Sequence, residues 1–271
     1  MNLESEAKAV IYGVKTLQNQ YAGDFNGAWM VAGQSQGGQA ALGTAEYANE
    51  DSTFKGAVAG APASSLDKII QEVAPVALSR LEDQEKRANT NLEDRNSIHS
   101  YATLLSYGAF IGMGIRAEHP DFDYLDLFQE PAQIIAQNVA GTTGENGLCL
   151  GPLRELFKDD LIRYLTENPN AKLMSYPGLD LDSFESNDVL QKFFVDNQPG
   201  TKRLDKPVLV IQGEMDTNVP AIVTEAMVQN IQSLGSPDVR LILVPEAGHR
   251  DAIVWKNSDL IEFIQKHMPA K

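Results

Sequence analysis

A serine flanked by glycines, in the stretch Gly33-Gln34-Ser35-Gln36-Gly37, is the residue of this chain best suited to nucleophilic chemistry. The apolar run at 28–32 before it is typical of a buried parallel strand, and the alanine-rich segment 39–48 after it favours a helix. A serine at such a turn is held in a strained backbone with its hydroxyl exposed. The flanking glycines would leave room for the strand and the helix to approach each other. The alternative is an ordinary serine in a glycine-rich turn.

Two later segments place an acid and a histidine in equivalent positions. Asp216 follows the apolar run 207–211, and His249 follows the strand pattern 239–244. The order Ser, Asp, His, with each residue just beyond a strand, suits a serine that a histidine deprotonates and an aspartate that orients the ring. Glu214 competes with Asp216 because it lies two residues closer to the strand. Asp251 is a weaker candidate because it shares the loop of the histidine.

The segments GQSQGG (33–38), QGEMDTNVP (212–220) and PEAGH (245–249) resemble the motifs of the α/β-hydrolase superfamily, and most of all those of esterases and lipases of the secretory-lipase type. The resemblance implies a parallel-sheet α/β core with Ser35 as nucleophile and His249 as general base. The pattern G-x-x-D-x-x-V-P favours Asp216 as the orienting acid. The N–H of Gln36 is then one donor of the oxyanion hole. The second donor has no identifiable residue.

The chain divides into three parts by pattern. Residues 1–62 and 205–271 carry the strand and helix signals of an α/β core. Between them, residues 63–204 show apolar positions at helical spacing, separated by turn clusters. In hydrolases of this type a helical lid occupies the same place, so we expect a large helical lid or cap insert there.

The nucleophile strand lies close to the start of the sequence, with only 34 residues before Ser35. A complete α/β-hydrolase has several strands before this one, so the sequence resembles the C-terminal part of such an enzyme. We therefore expect a sheet that is incomplete at its N-terminal side, with the nucleophile strand at an open edge. A homodimer would cover that edge, and the alternative cover is the amphipathic helix predicted at 4–17.

Composition excludes several classes of partner. The formal net charge of −15 argues against binding to nucleic acid or to an anionic membrane surface. We expect no metal and no cofactor, because the acidic residues are scattered and no metal-ligand spacing occurs. The first residues show no signal peptide, which leaves two localisations open: cytoplasmic, or secreted if the chain derives from a longer precursor.

The sequence thus predicts an esterase or lipase that acts on small-molecule esters or lipids. Two other readings stay open. One is a weak or inactive hydrolase-like binding domain, because the upstream strands are missing. The other is a serine peptidase or an acyltransferase on the same fold, since the three residues alone do not choose the acceptor.

Overall fold

A computed structural model describes residues 2–269 of the chain. Its helices and strands, in chain order, are α1 (Leu3–Gln20), β1 (Trp29–Gln34), α2 (Gln36–Tyr47), β2 (Phe54–Gly60), α3 (Leu66–Lys68), α4 (Ala74–Arg87), α5 (Asn96–Glu118), α6 (Ala132–Ala136), α7 (Leu150–Glu167), α8 (Leu181–Ser186), α9 (Asp188–Asp196), β3 (Val208–Gly213), α10 (Ala221–Ser233), β4 (Val239–Val244), α11 (Asp251–Trp255) and α12 (Asn257–His267). A π-helical turn, Ile69–Val73, joins α3 to α4. Short 3₁₀ turns lie at Leu92–Asp94, Tyr124–Leu127, Gln137–Val139 and Leu173–Ser175.

The described residues form two compact units. The first comprises the described parts of Met1–Leu66 and Asp196–Lys271, and the second comprises Asp67–Val195. The second unit therefore lies inside the segment 63–204, and residues 196–204 group with the first unit.

The first unit is built on a parallel sheet in the order β1-β2-β3-β4. This confirms the parallel-sheet α/β core and the strands predicted from the apolar runs at 28–32, 207–211 and 239–244. Strand β1 pairs only with β2 among the described residues, so the nucleophile strand lies at the edge of the sheet, as expected. Ala32 is the exposed residue of this edge strand.

The two faces of the sheet bury separate core clusters because side chains alternate along each strand. In β3, Val208 and Val210 enter the first cluster, which also receives residues of α2 and α10. Leu209 and Ile211 enter the second cluster, which is closed by residues of α11 and α12. Burial on both faces explains why β3 reads as a continuous apolar run rather than an alternating one.

Helix α1 packs on α2 and on the first core cluster. Val10, Ile11 and Val14 contact that cluster, as the amphipathic pattern predicts. The same amphipathic pattern also predicts Leu17 on this face, but the residue is 55% exposed. The prediction is wrong for this residue, because the contact surface ends before the last turn of the helix.

The second unit is helical and is organised around the packing of α5 against α7. Its core includes the stacked rings of Phe128 and Phe157, whose centroids are 6.3 Å apart. The buried carboxylate of Glu85 accepts hydrogen bonds from the backbone N–H groups of Asn96 and Ser97 and so satisfies the start of α5. Within residues 2–269, no helix is both long enough and apolar enough to span a membrane.

Candidate active site

The structure brings Ser35, His249 and Asp216 into one line of hydrogen bonds. The Oγ of Ser35 lies 2.9 Å from Nε2 of His249, and Nδ1 of the same ring lies 2.8 Å from Oδ2 of Asp216. Each residue follows the C-terminal end of a strand of the parallel sheet, β1, β4 and β3 respectively. The C-terminal ends of the strands are where parallel α/β sheets place ligand-binding and functional side chains.

The direction of these hydrogen bonds follows from the chemistry of the acid. An ionised carboxylate only accepts, so Nδ1 of His249 carries the hydrogen that points at Asp216. In the neutral ring, Nε2 then presents its lone pair to Ser35. The serine hydroxyl therefore donates to a nitrogen that is able to take up its proton.

Ser35 occupies a strained turn between β1 and α2. Its backbone has φ 61° and ψ −119°, a conformation with positive φ that non-glycine residues rarely adopt. Two hydrogen bonds hold this turn: Ser35 N–H donates to Gly60 O, and Ala63 N–H donates to Ser35 O. The end of β2 and the loop after it thus hold the serine hydroxyl at the C-terminal end of the sheet.

The two glycines of the motif differ in how closely they are packed. A Cβ on Gly33, in β1, would lie 2.0 Å from Gly37 O, in α2, so this glycine lets the strand and the helix approach each other, as predicted. A Cβ on Gly37 would meet nothing within 4 Å, which corrects the expectation that this glycine gives room for packing. Gly38 has that role instead, because its Cβ would lie 2.8 Å from Gly60 O and 3.0 Å from Pro62 Cα.

Asp216 is buried and both oxygens of its carboxylate accept hydrogen bonds, whereas Glu214 and Asp251 are exposed. Its Oδ1 accepts from the backbone N–H groups of Asn218 and Val219, and only 4% of the residue is exposed. Glu214 is exposed, and the carboxylate of Asp251 accepts from Gly248 N–H. The structure therefore joins Asp216, and neither alternative, to the histidine ring.

The loop that carries His249 is held by contacts with two other strands. Nε2 of Gln34, at the end of β1, donates to His249 O at 2.8 Å. Gly213, at the end of β3, lies so close to the loop that a Cβ there would be 2.4 Å from Ala247 O. These contacts fix the distance between the histidine ring and the two side chains that it bridges.

The N-terminus of α2 supplies backbone donors beside Ser35. The first helical hydrogen bond runs from Gln39 N to Ser35 O, so the preceding N–H groups, including that of Gln36, have no partner within the helix. The side chain of Gln36 donates to Oε1 of Glu6 at 2.6 Å and ties the start of α2 to α1. Within residues 2–269, no three or more His, Cys, Asp or Glu side chains are grouped to hold a metal ion.

Sequence reasoning missed Gln34, Gln212 and Gly213 as parts of this site. Gln34 and the pair Gln212-Gly213 stand inside the recognised motifs, but their partners lie up to 215 positions away. The only sequence signal was a polar residue or a glycine at the end of an apolar strand.

Comparison with known proteins supports the fold. A model of the prolyl oligopeptidase family of peptidases matches residues 180–270, a segment that includes Asp216 and His249 but not Ser35. No curated protein matches the chain in sequence.

Solved structures match over nearly the whole chain. The rice cell wall degrading esterase LipA from Xanthomonas oryzae aligns with a TM-score of 0.58 and 15% identity over 97% of this chain. Candida antarctica lipase A, in its closed state, aligns with a TM-score of 0.61 and 15% identity, also over 97%. The chain spans 65% of the length of the esterase and 54% of that of the lipase. These matches and the parallel sheet establish that the chain has the α/β-hydrolase fold.

Proposed function

We propose that this chain is a serine hydrolase that cleaves carboxylic esters through an acyl-enzyme on Ser35. The observation that carries the proposal is the line of hydrogen bonds from Ser35 Oγ through the ring of His249 to Asp216. A serine hydroxyl is a poor nucleophile alone, and a base within hydrogen-bond distance is what activates it.

The first half of the reaction forms the acyl-enzyme. Nε2 of His249 takes the hydroxyl proton while Ser35 Oγ bonds to the carbonyl carbon, and the carbonyl oxygen becomes negatively charged. The N–H of Gln36 donates to this oxygen. The bond between carbon and the alkoxy oxygen then breaks, and the imidazolium gives its proton to the leaving alcohol.

The second half reverses these roles with water. His249 takes a proton from water as the hydroxide attacks the acyl carbon, and the proton passes to Ser35 as the acid leaves. Asp216 remains ionised throughout, holds the Nδ1–H tautomer and stabilises the imidazolium in both halves. The backbone N–H groups of Asn218 and Val219, which donate to Oδ1 of Asp216, stabilise this charge inside the protein.

Esters are the favoured substrate because the structural neighbours are an esterase and a lipase by name. A second candidate is the hydrolysis of peptide bonds, which the prolyl oligopeptidase match favours. Both reactions use the same nucleophile and base, and they differ in the leaving group that the histidine protonates.

Labelling with a fluorophosphonate and turnover of p-nitrophenyl butyrate test the proposal. We expect Ser35 to be labelled, and Ser35→Ala, His249→Ala and Asp216→Asn to lose about 10⁴-fold or more in kcat. Ser52→Ala, at an exposed serine of the same unit, is the matched control and should leave kcat unchanged. Normal turnover by Ser35→Ala would show that another residue is the nucleophile and would contradict the proposal. Absence of both labelling and turnover in the wild-type chain would favour a binding domain.

Two further comparisons separate the alternatives. If Glu214→Gln loses activity and Asp216→Asn retains it, the acid is assigned incorrectly. Matched p-nitroanilide and p-nitrophenyl substrates separate the two reactions. Serine peptidases also cleave activated esters, so turnover of the ester without cleavage of the anilide or of peptides supports the esterase. Cleavage of the anilide or of a peptide would support the peptidase candidate instead.

A further inference from the structure

A buried glutamine at the end of β3 contacts the carboxylate of Asp216. Gln212 is fully buried, and its Nε2 lies 3.0 Å from Gly213 O, 3.1 Å from Asp216 Oδ2 and 2.9 Å from Val219 O. All three neighbours are acceptors, so only an NH₂ group suits this position. A carboxylate or a hydrocarbon there would leave buried carbonyl groups without a donor.

A buried threonine fixes the other end of this amide. The hydroxyl of Thr224, on α10, donates to Oε1 of Gln212 at 2.8 Å. With the amide reversed, its oxygen would face three acceptors. The orientation of Gln212 is therefore determined from both sides.

The amide and the histidine share one oxygen of the acid. Oδ2 of Asp216 accepts from both Gln212 and His249, while Oδ1 accepts from two backbone N–H groups. Since His249 approaches from the active site and Gln212 from the core, their combined contacts fix the plane of the carboxylate. The orientation of that plane sets the angle at which the imidazole meets Ser35.

We propose that Gln212, held by Thr224, is a positioning residue that acts on the reaction through Asp216. This inference rests on the proposed function, because it concerns how the acid is aligned for that chemistry. Gln212 contacts neither Ser35 nor the reacting carbonyl group, so its effect is expected in kcat and not in KM.

The principal test compares Gln212→Met with Gln232→Met. Gln232 also lies in the first unit and donates its Nε2 to a backbone carbonyl, Val239 O at 3.0 Å, which makes it a matched control. Turnover is expressed per Ser35 labelled by the fluorophosphonate, so unfolded protein is not counted. We expect kcat to fall about 10–100-fold in Gln212→Met, since a hydrogen bond to a charged group is lost, with KM unchanged and the control near wild type. Equal kcat in the two variants would overturn the inference.

A double-mutant comparison separates positioning from a general structural role. In an Asp216→Asn background, Gln212→Met should cause little further loss of kcat, because the acid through which it acts is already removed. An equal loss in both backgrounds would show that Gln212 acts elsewhere. If Gln212→Met does not fold, Thr224→Val replaces it in both arms, and Thr224→Ser, which keeps the hydroxyl, should restore kcat.

A spectroscopic measurement keeps the two proposals distinguishable. The proton between His249 Nδ1 and Asp216 gives a low-field proton resonance whether or not esters are hydrolysed. We expect Gln212→Met to shift or abolish this resonance and Gln232→Met to preserve it. If Gln212→Met shifts the resonance while the wild-type chain hydrolyses no ester, the ester hydrolase is refuted and the positioning role is supported. An unchanged resonance would refute the positioning role alone.

Discussion

Alanine substitutions at the adjacent glycines Gly37 and Gly38 are expected to change stability in opposite directions. A Cβ on Gly37 meets nothing within 4 Å, and the residue is exposed in the first turn of α2. Alanine there reduces the entropy of the unfolded chain without strain, so we expect the free energy of unfolding to rise by about 0.4–1 kcal/mol. A Cβ on Gly38 presses on the backbone at Gly60 and Pro62, and such overpacking costs about 1–3 kcal/mol.

Thermal unfolding and ester turnover measure the difference between the two variants. Gly37→Ala should raise Tm by about 1–4 °C and keep kcat, whereas Gly38→Ala should lower Tm and displace the turn that carries Ser35. The reasoning is refuted if Gly37→Ala is the destabilising variant. That outcome would mean that another surface, such as a second copy of the chain, covers Gly37 in solution.

Four further predictions follow from particular contacts. Gln34→Met removes the donor to His249 O and should lower kcat about fivefold, as expected for a net loss of about 1 kcal/mol. The control Gln18→Met removes a similar hydrogen bond to Gly27 O and should leave kcat unchanged. Equal kcat values for the two variants would contradict the role of Gln34. Burial raises the pKa of Glu46 above its ordinary value, so the folded chain holds this proton more tightly than the unfolded chain and stability declines as pH rises through the folded-state pKa. Glu46→Gln should flatten this part of the profile of Tm against pH, and an unchanged slope would count against it. We propose that the open edge of β1 pairs with a second copy of the chain, so light scattering should detect a dimer. Ala32→Lys should weaken this dimer. A wild-type chain that stays monomeric at high protein concentration would refute the proposal. Asp67–Val195 can be replaced by a short Gly-Ser linker because Ser65 N lies 2.6 Å from Gln198 Oε1. The shortened protein should lose discrimination between short and long acyl esters, while Ser35 still reacts with a fluorophosphonate. Unchanged selectivity would exclude a lid function for the deleted residues.

The sequence determined the strands, their parallel arrangement and the residues gathered at one edge of the sheet. Strands buried on both faces leave continuous apolar runs, and this signal is local. Because carboxyl ends of parallel strands meet at one edge, Ser35, Asp216 and His249 could be grouped from their positions alone. The choice of Asp216 over Glu214 came from a motif, and the hydrogen bond between Asp216 and the ring of His249 gives the structural basis for that choice.

Only the tertiary structure decided how those residues are held. The donor from Gln34 to His249 O joins positions 215 apart, and Gln212 meets Thr224 across the packing of β3 against α10. The packing role of Gly38, in place of Gly37, depends on where Gly60 and Pro62 lie after folding. The exposure of Leu17 likewise depends on where the neighbouring surface ends. Such contacts arise from the three-dimensional approach of distant segments, and the pattern of neighbouring residues carries no record of that approach.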